Sequence, residues 1–126
     1  MEESDNIIRI LTEAREAIEK NDSYKLKVLS DQTIHTAAIY QDADNIIVAV
    51  VVYSMAKIVE RENYRQMDGW DSFYRLLMKN IDLGISSLEK NDLKSFISSM
   101  GKIRNYINEV DSSLANYIKD IFYKAG

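Results

Sequence analysis

Apolar residues recur along this chain at helical spacing almost from its start. Ile7, Leu11, Ala14 and Ile18 fall at i, i+4, i+7 and i+11, one face of a helix predicted from Ser4 or Asp5 to Lys20. Asn21-Asp22 ends it, and Asp22 is placed to cap the next helix. A second helix is predicted over Ser23 to Tyr40. Its stripe is Leu26, Leu29, Thr33 and Ala37, widened by Ile34 and Ala38, and Gln41-Asp42 breaks it. A third helix is expected from Ala43 to Glu62. Its centre, Ile46 to Tyr53, is apolar on every side and rich in β-branched residues, which alone would also suit a buried strand. Helix is preferred because the apolar pattern runs on unbroken through Met55, Ala56, Ile58 and Val59, and because Asp42 and Asp44 favour a helix N-terminus. A helix apolar all round belongs in the middle of a bundle, with Val48, Val51 and Val52 buried.

The second half repeats the theme. A fourth helix is expected from near Asp68, with Asp68 and Asp71 as a capping arrangement and a stripe through Trp70, Phe73, Tyr74, Leu77, Ile81, Ile85 and Leu88. Gly84 lies on that stripe and leaves room for a close helix approach. A fifth helix from Asp92 carries Leu93, Phe96, Ile97, Met100, Ile103 and Ile107. A sixth from Asp111 carries Leu114, Tyr117, Ile118, Ile121 and Phe122. The break between them, Asn108 to Asp111, is weakly signalled, so the pair also fits one bent rod. Glu19-Lys20-Asn21-Asp22 recurs as Glu89-Lys90-Asn91-Asp92, each after an aliphatic residue. Physically this is an αα-hairpin turn, an Asn suited to the left-handed region followed by an Asp cap. The flanking signature of tetratricopeptide-like repeats is missing, so the echo reads as two similar hairpins and not a repeat array. The predicted fold is all-α: one domain over residues 1–126, a compact bundle of about six helices built from antiparallel αα-hairpins around a central apolar helix.

Composition supports this and narrows the chemistry. The 126 residues hold no proline and only four glycines, too few for the many tight turns of an all-β fold. There is no cysteine, which excludes disulfides, thiolate metal sites and cysteine nucleophiles. The N-terminus is acidic, unlike a signal peptide, and the longest apolar run falls far short of the roughly 20 residues that span a bilayer. A cytoplasmic protein without membrane contact is expected. The net charge of -4 argues against duplex nucleic-acid binding, which depends on neutralising phosphates with Lys and Arg.

Candidate catalytic groups are sparse. His35 is the single histidine. A mixed site of Asp31, His35, Asp42 and Asp44 is conceivable as a metal site, but His35 is expected instead to bond Asp31 or a backbone carbonyl beside the apolar stripe. Neither metal nor cofactor is expected. Ser23 and Ser30 lie near His35 without the strained elbow a nucleophile needs. The glycines are isolated, so no phosphate loop forms. Small helical ribonucleases of prokaryotic toxin systems place an Arg a turn or two before a His on one helix. Here Val28, Leu29 and Ser30 fill that window, and the nearest preceding Arg is Arg15. The carboxylate pairs Glu13/Glu16, Asp42/Asp44 and Glu60/Glu62 read as solvated helix surface. No catalytic residue is therefore assigned.

The residues best suited to recognition are the eight tyrosines and one tryptophan. Tyr64, Trp70, Tyr106 and Tyr123 are expected near helix ends, with a basic strip of Arg61, Arg65, Arg75 and Lys79 beside the junction of helices three and four. The candidate partner-binding residues are Arg61, Tyr64, Arg65, Trp70, Tyr117 and Ile121. The C-terminal stripe either closes this domain's own core or docks on a second molecule.

The stretches Leu29 to Ile34, Ile39 to Asp44 and Tyr53 to Ile58 resemble an uncharacterised family of archaeal helical proteins. The resemblance is best over helices two and three. In those relatives a helix-turn-helix-like segment follows the counterpart of Tyr117 to Lys124, and it is absent from this sequence. The resemblance implies an N-terminal module of a regulator-like protein, and names no reaction and no catalytic residues. The leading expectation is a non-enzymatic helical module for contact with a protein partner or for homo-oligomer formation. The alternatives are the N-terminal domain of a nucleic-acid-linked regulator, and a small metal-dependent or ribonuclease-like helical enzyme.

Overall fold

The computed structural model describes residues 2–61 and 63–110. Five α-helices run in order: α1 (Glu2–Glu19), α2 (Ser23–Tyr40), α3 (Ala43–Val59), α4 (Trp70–Glu89) and α5 (Leu93–Val110). A short 3-10 turn, Tyr64–Gln66, lies between α3 and α4. There is no strand among the described residues, so the all-α expectation holds. The sixth helix expected from Asp111 lies outside the described residues. The break expected from Asn108 is not seen at its start, since α5 continues as helix through Val110.

The apolar run that also suited a strand is helical. Asp42 caps α3 by accepting from the Asn45 backbone N–H at 2.9 Å, and α3 then packs against α1, α2 and α5. Contact on three sides is what an all-round apolar helix requires. Val48, Val51 and Val52 are buried as expected, Val51 and Val52 completely. Burying each such side chain contributes about 1.5–3 kcal/mol. Four of the buried polar side chains bond locally. Thr33 donates to the Ser30 carbonyl, and Ser54, Asn80 and Ser99 each donate to the carbonyl one turn back. None of these four bonds reaches across to another helix.

The two echoed turns fold alike. Asn21 and Asn91 are left-handed, with φ of 60° and 58°. The N–H of Asp22 bonds the Ala17 carbonyl and that of Asp92 the Ser87 carbonyl, both at 2.8 Å, a pattern that closes the preceding helix. Each Asp then caps the next helix, Asp22 on the Lys25 N–H and Asp92 on the Ser95 N–H. At the α2–α3 link, Gln41 is left-handed too, and its N–H bonds the Ala37 carbonyl. The start of α4 differs from expectation. Helix begins at Trp70, and Gly69 (φ 79°) precedes it without any side-chain cap, so Asp68 and Asp71 do not form the capping arrangement. The positive φ at Gly69 redirects the chain into the helix, and its carbonyl accepts from the Phe73 N–H. Gly84 does allow close approach. A Cβ there would lie 2.7 Å from Met100 Cε and 3.5 Å from Phe96 Cδ2.

Candidate functional site

The four candidate metal ligands do not assemble. Asp31 and His35 are both exposed on α2, and no group of three or more His, Asp or Glu among the described residues is arranged to hold a metal ion. Asp42 is engaged as the α3 cap and also accepts from the Asn45 side-chain amide at 2.9 Å. Burial, with a smaller contribution from neighbouring Asp42, pushes the Asp44 carboxyl above its usual range. The bond expected from His35 to Asp31 or a carbonyl is not made among the described residues. His35 lies two positions from both Thr33 and Ala37, which puts it about 200° around the helix from the buried stripe.

The carboxylate pair Glu13/Glu16 behaves as helix surface. Glu13 pairs with Arg9 at 2.5 Å and Lys25 at 3.3 Å, and Glu16 with Lys20 at 2.5 Å. Arg15 bridges α1 to α4 through Asp82 at 2.8 Å and also meets Glu19 at 2.7 Å. Exposed pairs of this kind contribute roughly 0–1 kcal/mol.

The aromatic residues expected at helix ends do gather, but they turn inward. Tyr64, expected among the partner-binding residues, is buried in this chain. Its ring meets Trp70 edge-on with centroids 5.0 Å apart, and its hydroxyl donates to the Asn21 side-chain oxygen. Arg65 lies over the Tyr64 ring and its Nε donates to the same hydroxyl at 3.3 Å. Half-buried Trp70 packs on Phe73 and Tyr74, and Phe73 stacks on Tyr106 with centroids 5.7 Å apart. The cluster therefore fastens the α3–α4 connection onto the α1–α2 turn. Arg61, Arg65, Arg75 and Lys79 are exposed. Tyr117, Ile121 and Tyr123 lie outside the described residues.

A different surface is conspicuous. Ile39 is 62% exposed, Tyr40 55% and Ile46 37%, and all three flank the two-residue link between α2 and α3. In an antiparallel pair joined so tightly, they fall within about one 5.4 Å turn of the same end. Sequence reasoning passed over Ile39 and Tyr40 because they fall off the α2 stripe. The available signal was that α2 carries apolar residues on several sides. Tyr24, 76% exposed, marks the other end of that helix. Between α4 and α5 lies a second feature, an open groove of about 380 Å³ lined by Leu83, Lys90, Asp92, Lys102 and five serines.

No helix among the described residues is long and apolar enough to cross a membrane. No known family model, curated protein or solved structure matches this chain.

Proposed function

We propose that this chain is a non-enzymatic helical module that binds protein through the apolar end of the α2–α3 hairpin, and that its first partner is a second copy of itself. The observation that carries this reading is the exposure of Ile39, Tyr40 and Ile46 around a single link. Single exposed aliphatics are ordinary on protein surfaces, but three large apolar residues at one end, one of them a tyrosine, form the kind of cluster that anchors interfaces. Asp42 and half-buried Asp44 sit in the same link region, supplying a polar rim to an apolar centre. An isologous contact, in which the same patch meets itself, buries this apolar surface in both copies at once. Sedimentation of the intact chain beside an Ile39→Glu/Ile46→Glu variant tests the reading. Loss of self-association with folding retained supports it, and a wild-type chain that stays monomeric refutes it.

A further inference from the structure

The echoed turns mark a deeper correspondence. Adding 70 to a residue number carries Asn21 to Asn91, and with it α1–α2 onto α4–α5. Every position buried in α4–α5 from Leu77 to Ile107 has a buried counterpart 70 places earlier. Leu77 answers to Ile7, Ile81 to Leu11, Gly84 to Ala14, Phe96 to Leu26, Met100 to Ser30 and Ile107 to Ala37. In reverse the match fails only at Ala17, whose counterpart Ser87 is half-buried. The residue types differ, so the shared property is the inward face of each helix relative to the turn. Small residues at Gly84 and Ser99, where the first hairpin has Ala14 and Leu29, let α4 and α5 lie closer than α1 and α2.

Both hairpins pack internally, α1 on α2 and α4 on α5, and α1 packs on α4, a pair that exchanging α1 with α4 and α2 with α5 leaves unchanged. The third helix of the first unit, α3, rests on α2, α1 and α5. The equivalent berth is the surface of α5, α4 and α2. In the sequence, Tyr117, Ile118, Ile121 and Phe122 fall 70 places after Ile47, Val48, Val51 and Val52, and the last four are all buried in α3.

We infer that the chain is a duplicated three-helix unit, and that residues 113–126 dock on their own α5, α4 and α2 as the counterpart of α3, not on a second molecule. The apolar stripe of that segment then serves the core. The inference stands independently of the interaction proposal, but it bears on where a partner binds. The counterparts of Ile39, Tyr40 and Ile46 are Glu109, Val110 and Asn116, so the architecture does not itself demand three large apolar residues at that end.

The chain has no cysteine, so spin labels attach only where cysteines are introduced. One labelled pair is Ala43→Cys with Lys102→Cys, which reports α3 against α5. The other is Ser113→Cys with Gln32→Cys, its counterpart under the exchange. Positions 32, 43 and 102 are exposed, so labels there do not disturb the core. Double electron–electron resonance on the full chain is expected to give matching distances for the two pairs, unchanged on dilution with unlabelled protein. Clearly different distances, a featureless distribution for the second pair, or its loss on dilution would overturn the inference, the last by showing that the segment docks on another copy. Independently, Ile121→Asp is expected to lower the unfolding midpoint in the same direction as Val51→Asp. An unchanged midpoint would also overturn it.

Discussion

Asn21 and Asn91 occupy equivalent turns but do unequal work, and a matched pair of substitutions separates the two contributions. Both residues are left-handed, a conformation that glycine adopts freely, so Asn→Gly preserves each turn at a cost of a few tenths to about 1 kcal/mol from added unfolded-state freedom. At Asn91 nothing more is lost, since its side chain makes no further bond among the described residues. At Asn21 the substitution also removes the acceptor for the Tyr64 hydroxyl. Tyr64 is only 6% exposed, so that donor is left without its partner in the protein interior. An orphaned buried donor costs about 1–3 kcal/mol. Arg65 still donates to the same oxygen and does not replace the lost acceptor. Asn21→Gly is therefore expected to be about 1–3 kcal/mol less stable than Asn91→Gly, read as a lower urea midpoint at unchanged slope. Adding Tyr64→Phe should erase most of the difference, because the donor is then gone. Equal midpoints for the two glycine variants, or a gap that survives in the Tyr64→Phe background, would refute the proposed fastening of the α3–α4 connection.

Three further outcomes follow from the packing and charge. Val51→Asp places a charge at a completely buried position of α3 and is expected to cost more than about 4 kcal/mol, seen as loss of cooperative thermal unfolding. Gly84→Ala meets the end of the flexible Met100 side chain, and the gain of about 1 kcal/mol in helix propensity offsets the adjustment, so its midpoint should stay near wild type. Gly84→Val also crowds Phe96 and should lose roughly 1–3 kcal/mol in the same melt. Asp44 has a raised folded-state pKa, so its charged form is penalised in the folded state. Its contribution to stability is greatest when protonated and falls as pH rises through the ordinary carboxylate range and on through the raised value. Asp44→Asn should thus be more stable than wild type at neutral pH, with the gain vanishing on acidification below that range; a gain that persists in acid would contradict the burial argument.

Helix positions and the central place of α3 were legible because they rest on apolar periodicity, which packing preserves. Asp22 and Asp92 were legible as caps because the bond each makes is local to its turn. What escaped was whatever depends on distant parts of the chain. Tyr64 looked like an exposed helix-end aromatic, yet its burial depends on Asn21 and Trp70, which no local pattern connects. Asp68 and Asp71 matched a capping spacing, but the positive φ of Gly69 set the true start of α4. His35 was placed beside the stripe, although its two-residue offset from Thr33 and Ala37 already pointed outward. The Asn-Asp echo was legible as a turn. Its extension to entire hairpins emerged only once burial could be compared position by position, because the paired residues share an orientation and seldom an identity.

Protein contact through Ile39, Tyr40 and Ile46 is measured by sedimentation equilibrium of the intact protein across a wide concentration range, beside Ile39→Glu/Ile46→Glu. Ile39 lies mostly outside the core and Ile46 at its edge, so the variant should still unfold cooperatively, as a folded monomer does. The wild-type chain is expected to associate reversibly with concentration and the variant to remain a folded monomer throughout. A wild-type chain that is monomeric at every concentration, or a variant that associates as well as wild type, would contradict it.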